Sequence, residues 1–203
     1  MAGPRKRPAL TTVFSSLGSS AMIGALLSIV MLLGTAPSVQ AEDLSRFVGS
    51  YVGRAIVEHL ESGQEKIRDI DIVVAPYGSE GLRIDWITVG LVDGRRDVPG
   101  VKRWSQTALF EPSEDRNFMV EVGESSLFEE RGDMEVVKGD PVRWARIDDD
   151  TLHACSFVVL EDGRYELQIY RRTLTEEGID IHFERVVDGT VVRRVSGSTV
   201  RAD

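Results

Sequence analysis

Between residues 46 and 201 the chain divides into stretches of about 8 to 12 residues rich in Val, Ile, Thr and aromatics, each bounded by turn residues. Asp93-Gly94, Asp162-Gly163 and Asp188-Gly189 each separate two such stretches, and Asp-Gly suits the positive φ angles of a tight hairpin turn. These marks predict strands near 47–58, 66–75, 81–92, 102–111, 116–123, 141–147, 151–160, 164–174, 178–187 and 190–201. The last four read as a meander with short turns at EDGR, LTEEG and VDGT. No stretch supports a long helix. The segment ESSLFEERGDMEVVKGD (124–140) fits neither strand nor long helix and reads as a surface excursion with a short helical turn over one end of the sheet.

Alternation assigns one apolar face to each strand. Ile70, Ile72 and Val74 point together, as do Leu82, Ile84 and Trp86, then Trp104, Ala108 and Phe110, then Phe118, Val120 and Val122. Tyr165, Leu167 and Ile169 alternate with Glu166 and Gln168, and Ile179, Ile181 and Phe183 with Asp180, His182 and Glu184. One-sided strands without covering helices must bury their apolar faces against each other. The expected fold is therefore all-β, an antiparallel meander closing into a barrel of about 8–10 strands, with a β-sandwich as the alternative. Closure also removes the exposed strand edges that invite aggregation.

The first predicted strand has an unusual pattern. In FVGSYVGRA (47–55) the alternate positions are Phe47, Gly49, Tyr51, Gly53 and Ala55. Glycine inside a strand marks a bend or a close approach of another backbone. DLSRFVGSYVG (43–53) resembles the start of the lipocalin and wider calycin group, whose first strand carries an aromatic, a glycine and an indole in a G-x-W arrangement. Here Asp43, Phe47 and Gly49 precede Tyr51, which stands where that group places tryptophan. The resemblance implies a calycin-like barrel whose first-strand ring closes the floor against an arginine of the last strand, a part open to Arg193 or Arg201.

The ends and the totals narrow the setting. Arg5, Lys6 and Arg7, the apolar run AMIGALLSIVMLL (21–33), and Val39 and Ala41 have the form of a secretory signal peptide over residues 1–41. The apolar run is shorter than the roughly 18 residues of a membrane span. The expectation is a single barrel domain at 42–203, exported to a bacterial periplasm or to the exterior, with no stable membrane insertion. The formal charge is -9, and without those three basic residues -12. Such a field repels phosphate backbones, so nucleic acid is not an expected partner. Cys155, a lone cysteine in the apolar run HACSFVVL (153–160), forms no internal bridge, so the fold must rest on packing.

Catalytic signatures are missing from the sequence. His59, His153 and His182 are too far apart for metal-ligand spacing, and Asp148, Asp149 and Asp150 read as a polar hairpin loop rather than a calcium loop. There is no G-x-S-x-G elbow and no phosphate-binding glycine pattern. Neither a metal nor a cofactor is expected. The positive lead is a set of aromatics on the expected inner faces, Tyr51, Trp86, Trp104, Phe118, Trp144 and Phe183, joined by Gln106, Ser156, Arg146 and Arg193. An apolar wall with a few orienting polar groups is the usual form of a small-ligand site. The first reading is a non-catalytic, lipocalin-like binding protein for a small apolar or amphipathic ligand, with any anionic end near Arg146 or Arg193. The second is an envelope interaction module with a solid core, and the third an enzyme working at the barrel mouth.

Overall fold

The computed structural model describes residues 39–114, 117–123 and 135–202. All but the end of the expected signal segment, and positions 124–134 of the expected excursion, lie outside the described residues. The described part of that excursion contains a 3₁₀ turn at Val136–Lys138, packed near β7. Among the described residues no helix is long and apolar enough to cross a membrane.

Ten strands follow one nine-residue helix, α1 (Val39–Phe47). They are β1 (Gly49–His59), β2 (Gln64–Tyr77), β3 (Gly81–Gly90), β4 (Lys102–Pro112), β5 (Met119–Glu121), β6 (Val142–Asp148), β7 (Thr151–Val159), β8 (Tyr165–Leu174), β9 (Gly178–Val187) and β10 (Thr190–Ala202). Each pairs antiparallel with its sequence neighbours, and β1 pairs with β10, so the meander closes into a barrel and is not a sandwich. The Asp-Gly turns at 93–94 and 188–189 hold both residues at positive φ, 49° and 74°, then 46° and 78°. That conformation matches the twist of paired strands.

The helix is a departure from expectation, since no helix was expected before the strand at 47–58 and Phe47 ends α1 rather than opening β1. Leu44 and Phe47, three apart on one helix face, are buried in the core. The helix thereby plugs the end of the barrel at which β1 begins. Tyr51, fully buried, donates from its hydroxyl to the Phe47 carbonyl at 2.8 Å. Arg201 on β10 donates to the Tyr51 hydroxyl at 2.8 Å, and to the carbonyls of Val48 at 2.8 Å and Arg46 at 3.2 Å. Its guanidinium also lies 5.1 Å from the centre of the Tyr51 ring. Of the two arginines open to this role, Arg201 fills it. An Arg46–Asp150 ion pair ties the same helix to the β6–β7 turn.

The glycines of β1 have spatial causes. A Cβ on Gly49 would lie 2.7 Å from the Arg201 guanidinium, and one on Gly53 would lie 2.1 Å from the Ser198 carbonyl oxygen and 2.6 Å from the Thr199 Cα. Gly197 on β10 is confined in the same way, 2.6 Å from the Ala55 Cα. Across this seam the two end strands approach too closely for side chains.

Side chains point as expected on β1 to β4, β9 and β10. On β5, β6 and β8 the parity is reversed. Met119 is fully buried while Phe118 is 37% exposed, and Ala145 is buried while Trp144 and Arg146 stand on the outer face. On β8 the charged Glu166 is buried, with Tyr165 outside. The reason is an apolar stripe outside the barrel. Val120, Trp144, Cys155 and Ile169 lie opposite one another across β5 to β8, and directly opposed residues share a face. On β8 the inner face is the more polar one, carrying Glu166, Gln168 and Arg172.

Packing is concentrated at the helix end, where Phe47, Tyr51, Val74, Leu82, Phe110 and Ile179 form the core. Replacing Gly53 by Ala is expected to lower stability by about 2 kcal/mol or more, because the clash is with backbone that can move only by opening the seam. Urea denaturation followed by circular dichroism checks this, and an unchanged midpoint would show that the seam relaxes freely.

Candidate functional site

The other half of the barrel is hollow. A cavity of about 490 Å³ opens at the end formed by the β1–β2, β3–β4, β7–β8 and β9–β10 hairpins, and a smaller lobe of about 220 Å³ shares Trp86, Gln106, Gln168, Tyr170 and Arg172 with it. The sequence dictates this division. Toward the helix end the inward positions carry apolar residues, whereas toward the mouth they carry Arg68, Thr88, Gln106, Gln168, Arg185 and Arg193, whose polar ends resist dry packing. The three-residue β5 adds to the opening, since it pairs only with Phe110–Pro112 of β4.

Apolar walls come from Ile70, Ile72, Trp86, Ile181, Phe183 and Val195. Tyr170 packs its ring 5.6 Å from Trp86 and 4.6 Å from Phe183, centre to centre, building an aromatic shelf across the interior. Behind it runs a hydrogen-bonded chain. The Tyr170 hydroxyl donates to Gln168 Oε1 at 2.7 Å, Gln168 Nε2 donates to Glu166 Oε1 at 2.6 Å, and Arg185 donates to Glu166 Oε2 at 2.5 Å. Burial pushes the Glu166 carboxyl up, but the bonds from Arg185 and Gln168 and the nearby charges of Arg185 and Arg193 outweigh it and hold the group below its ordinary value.

Arg172 is the exceptional residue. It is 3% exposed, its Nε and Nη1 have no hydrogen-bond partner among the described residues, and its guanidinium lies 5.4 Å from the ring centres of both Trp86 and Tyr170. The rings supply cation–π attraction, which does not satisfy N–H donors. Burial draws the guanidinium down to about 10, so it stays protonated at neutral pH. A buried cation facing a cavity with no counter-charge is costly unless an anion completes it.

Charge in the main cavity runs opposite to that of the chain as a whole. Arg68, Arg172, Arg185 and Arg193 face a single carboxylate, Glu166, inside a protein of formal charge -9. In the smaller lobe Arg143 is paired with Glu121 at 2.7 Å. Among the described residues no group of three or more His, Cys, Asp or Glu side chains is placed to hold a metal ion.

The structure brings together Trp86, Trp104, Gln106, Phe183 and Arg193 around the main cavity and Ser156 around the smaller lobe. Tyr51 belongs to the floor, below both. Phe118, Trp144 and Arg146 face outward, Arg146 pairing with Asp148 at 3.1 Å. Sequence reasoning missed Arg68, Glu166, Gln168, Tyr170, Arg172 and Arg185. The signal for the four residues on β8 was present in the register: with Phe183 inward, a tight turn after Leu174 sets Tyr170 opposite Phe183 and Arg172 opposite Ile181, which forces the polar side of β8 inside.

A solved structure, an S-type phycobiliprotein lyase from Guillardia theta, aligns with 82% of this chain and 99% of its own at 11% identity and a TM-score of 0.35. No protein-family model and no curated protein matches the chain.

Because the folded carboxyl of Glu166 lies below its ordinary value of 4.5, its contribution to stability is complete above that pH and is lost as pH falls through the folded value. Glu166→Gln is expected to destabilise the protein at neutral pH by about 1–3 kcal/mol and to flatten the decline in stability on acidification below about pH 4.5. Denaturation midpoints of both proteins across that range measure the difference; parallel curves would show that folding does not lower the Glu166 carboxyl below its ordinary value.

Proposed function

We propose that this protein is an exported, non-catalytic binding protein of lipocalin-like design that holds a small amphipathic molecule with its anionic end at Arg172. The observation that carries the reading is Arg172 itself, buried, bracketed by Trp86 and Tyr170 and without a hydrogen-bond partner for Nε and Nη1 among the described residues. Around it the cavity offers about 490 Å³, a volume suited to a small organic ligand. Ile70, Ile181, Phe183 and Val195 would contact the apolar body.

The rival reading of a solid-core interaction module requires a filled interior, and a cavity of this size speaks against it. An enzyme at the mouth would need a nucleophile or an acid–base pair. The cavity's carboxylate is instead engaged by Arg185 and Gln168, and a carboxylate so occupied is a poor proton acceptor. Export rests on the form of residues 1–41, and the closed barrel needs no disulfide, which suits either side of an envelope.

The test uses dodecanoate, followed through quenching of Trp86 and Trp104 fluorescence and by calorimetry. Arg172→Met is expected to weaken dodecanoate binding by about tenfold or more. The same variant should leave stability unchanged or raise it, because an apolar side chain of similar volume replaces an uncompensated buried charge. Equal affinity in the variant would remove Arg172 from the site. Native mass spectrometry of protein purified from its own host would identify the resident molecule.

A further inference from the structure

A ligand with one anionic group accounts for Arg172 and leaves the mouth of the cavity unexplained. Arg185 is bonded to Glu166, but Arg68 and Arg193 also line the cavity, and among the described residues neither has an ion pair with a carboxylate. Arg193 stands directly opposite Arg185 across β9 and β10, and like charges in that position are destabilising. Its Nε is buried without a hydrogen-bond partner among the described residues, as is that of Arg185. The Arg68 guanidinium lies over the Trp104 ring, 4.4 Å from its centre. Burial and the charge of Arg193 both draw the Arg68 guanidinium down, and burial together with the charges of Arg193, Lys66 and Arg68 lowers His59 beside them. The rim carboxylate Glu61 acts on Arg164 and Arg185, and Asp188 on Arg164. The mouth is thus a second cationic site, with more positive than negative charge.

Between the two sites the wall is apolar. Arg172 lies four residues deeper along β8 than Gln168, which is the strand position opposite Arg185. At a rise of about 3.3 Å per residue that separates the two levels by roughly 13 Å. Phe183 and Ile181 on β9 and Val195 on β10 occupy the interval.

Resting on the reading above, we infer that the cavity selects molecules with two anionic groups at opposite ends of an apolar body, one held by Arg172 and the other by Arg68 and Arg193. A molecule of this class would neutralise both cationic sites at once, and its apolar middle would meet Ile181, Phe183 and Val195. The second contact is intramolecular once the first has formed, so it adds affinity without a second loss of translational freedom. A single-headed amphipath would leave Arg68 without an ion-pair partner among the described residues, and Arg193 sharing the one carboxylate Glu166 with Arg185.

Dodecanedioate, compared with dodecanoate at matched ionic strength, tests this by calorimetry on the whole protein. The dicarboxylate is expected to bind at least about tenfold more tightly. Arg68→Gln combined with Arg193→Gln is expected to abolish that advantage while leaving dodecanoate affinity within about twofold, with circular dichroism verifying the fold. Arg172→Gln should weaken both probes. Dodecanoate binding as tightly as dodecanedioate would overturn the two-ended site and leave the single-anion reading standing. Failure of both probes to bind would overturn the two together.

Discussion

The seam between β1 and β10 is the constraint on which everything else depends. A ten-stranded meander whose end strands fail to meet is an open sheet with two free edges and an apolar face in water. Here the ends meet because Gly53 and Gly197 carry no side chain where the opposing backbone passes, and because Arg201 reaches across to the last turn of the helix and to Tyr51. The Tyr51 hydroxyl both accepts from Arg201 and donates to Phe47, so one phenol links the first strand, the last strand and the helix. A buried hydroxyl bonded in both senses has little to lose by leaving water.

Closing the barrel at one end permits hollowness at the other. The core residues cluster where the helix sits, and dispersion and apolar burial there hold the strand ends in register. The antiparallel ladder propagates that register along every strand, because a slip by one residue would turn each inward side chain outward. The mouth half therefore need not be filled to be ordered. It can carry arginines, a buried glutamate and an unpartnered guanidinium, each a local cost, while the floor supplies the compensating stability.

How much of this was legible in the sequence varies by element. Strand positions were readable, since Asp-Gly pairs and alternation act locally. The odd positions of β1 were readable as inward, and the glycines among them as points of close approach, although only the structure names Ser198 and Thr199 as the neighbours. The helix was not readable: DLSRF is too short to show a period, and Phe47 fits a strand and a helix end equally well. The cavity was misread on β8 because alternation reveals that two faces differ and not which one points inward. In YELQIYRR (165–172) the apolar side faces out, beside Trp144 and Cys155, and the polar side lines the interior. A rule that sends apolar residues inward fails wherever polar side chains line a hollow interior, and Arg172 was lost for that reason.

The opposition of sign between surface and interior explains how one barrel can carry several arginines inside without becoming a general anion trap. Outside, Asp69, Asp71 and Asp85 are paired with Arg54, Arg96 and Arg83, and the chain as a whole remains acidic. Polyanions and anionic surfaces meet a repulsive field that acts at distances of about a Debye length. The interior charges lie behind low-dielectric walls where screening is weak, so they act strongly on a molecule small enough to enter and hardly at all on one that is not. On the proposed function, size exclusion and charge together would set selectivity: the mouth would admit, the outer field would reject, and Arg172 would reward only an anion that has shed its water to reach the aromatic shelf.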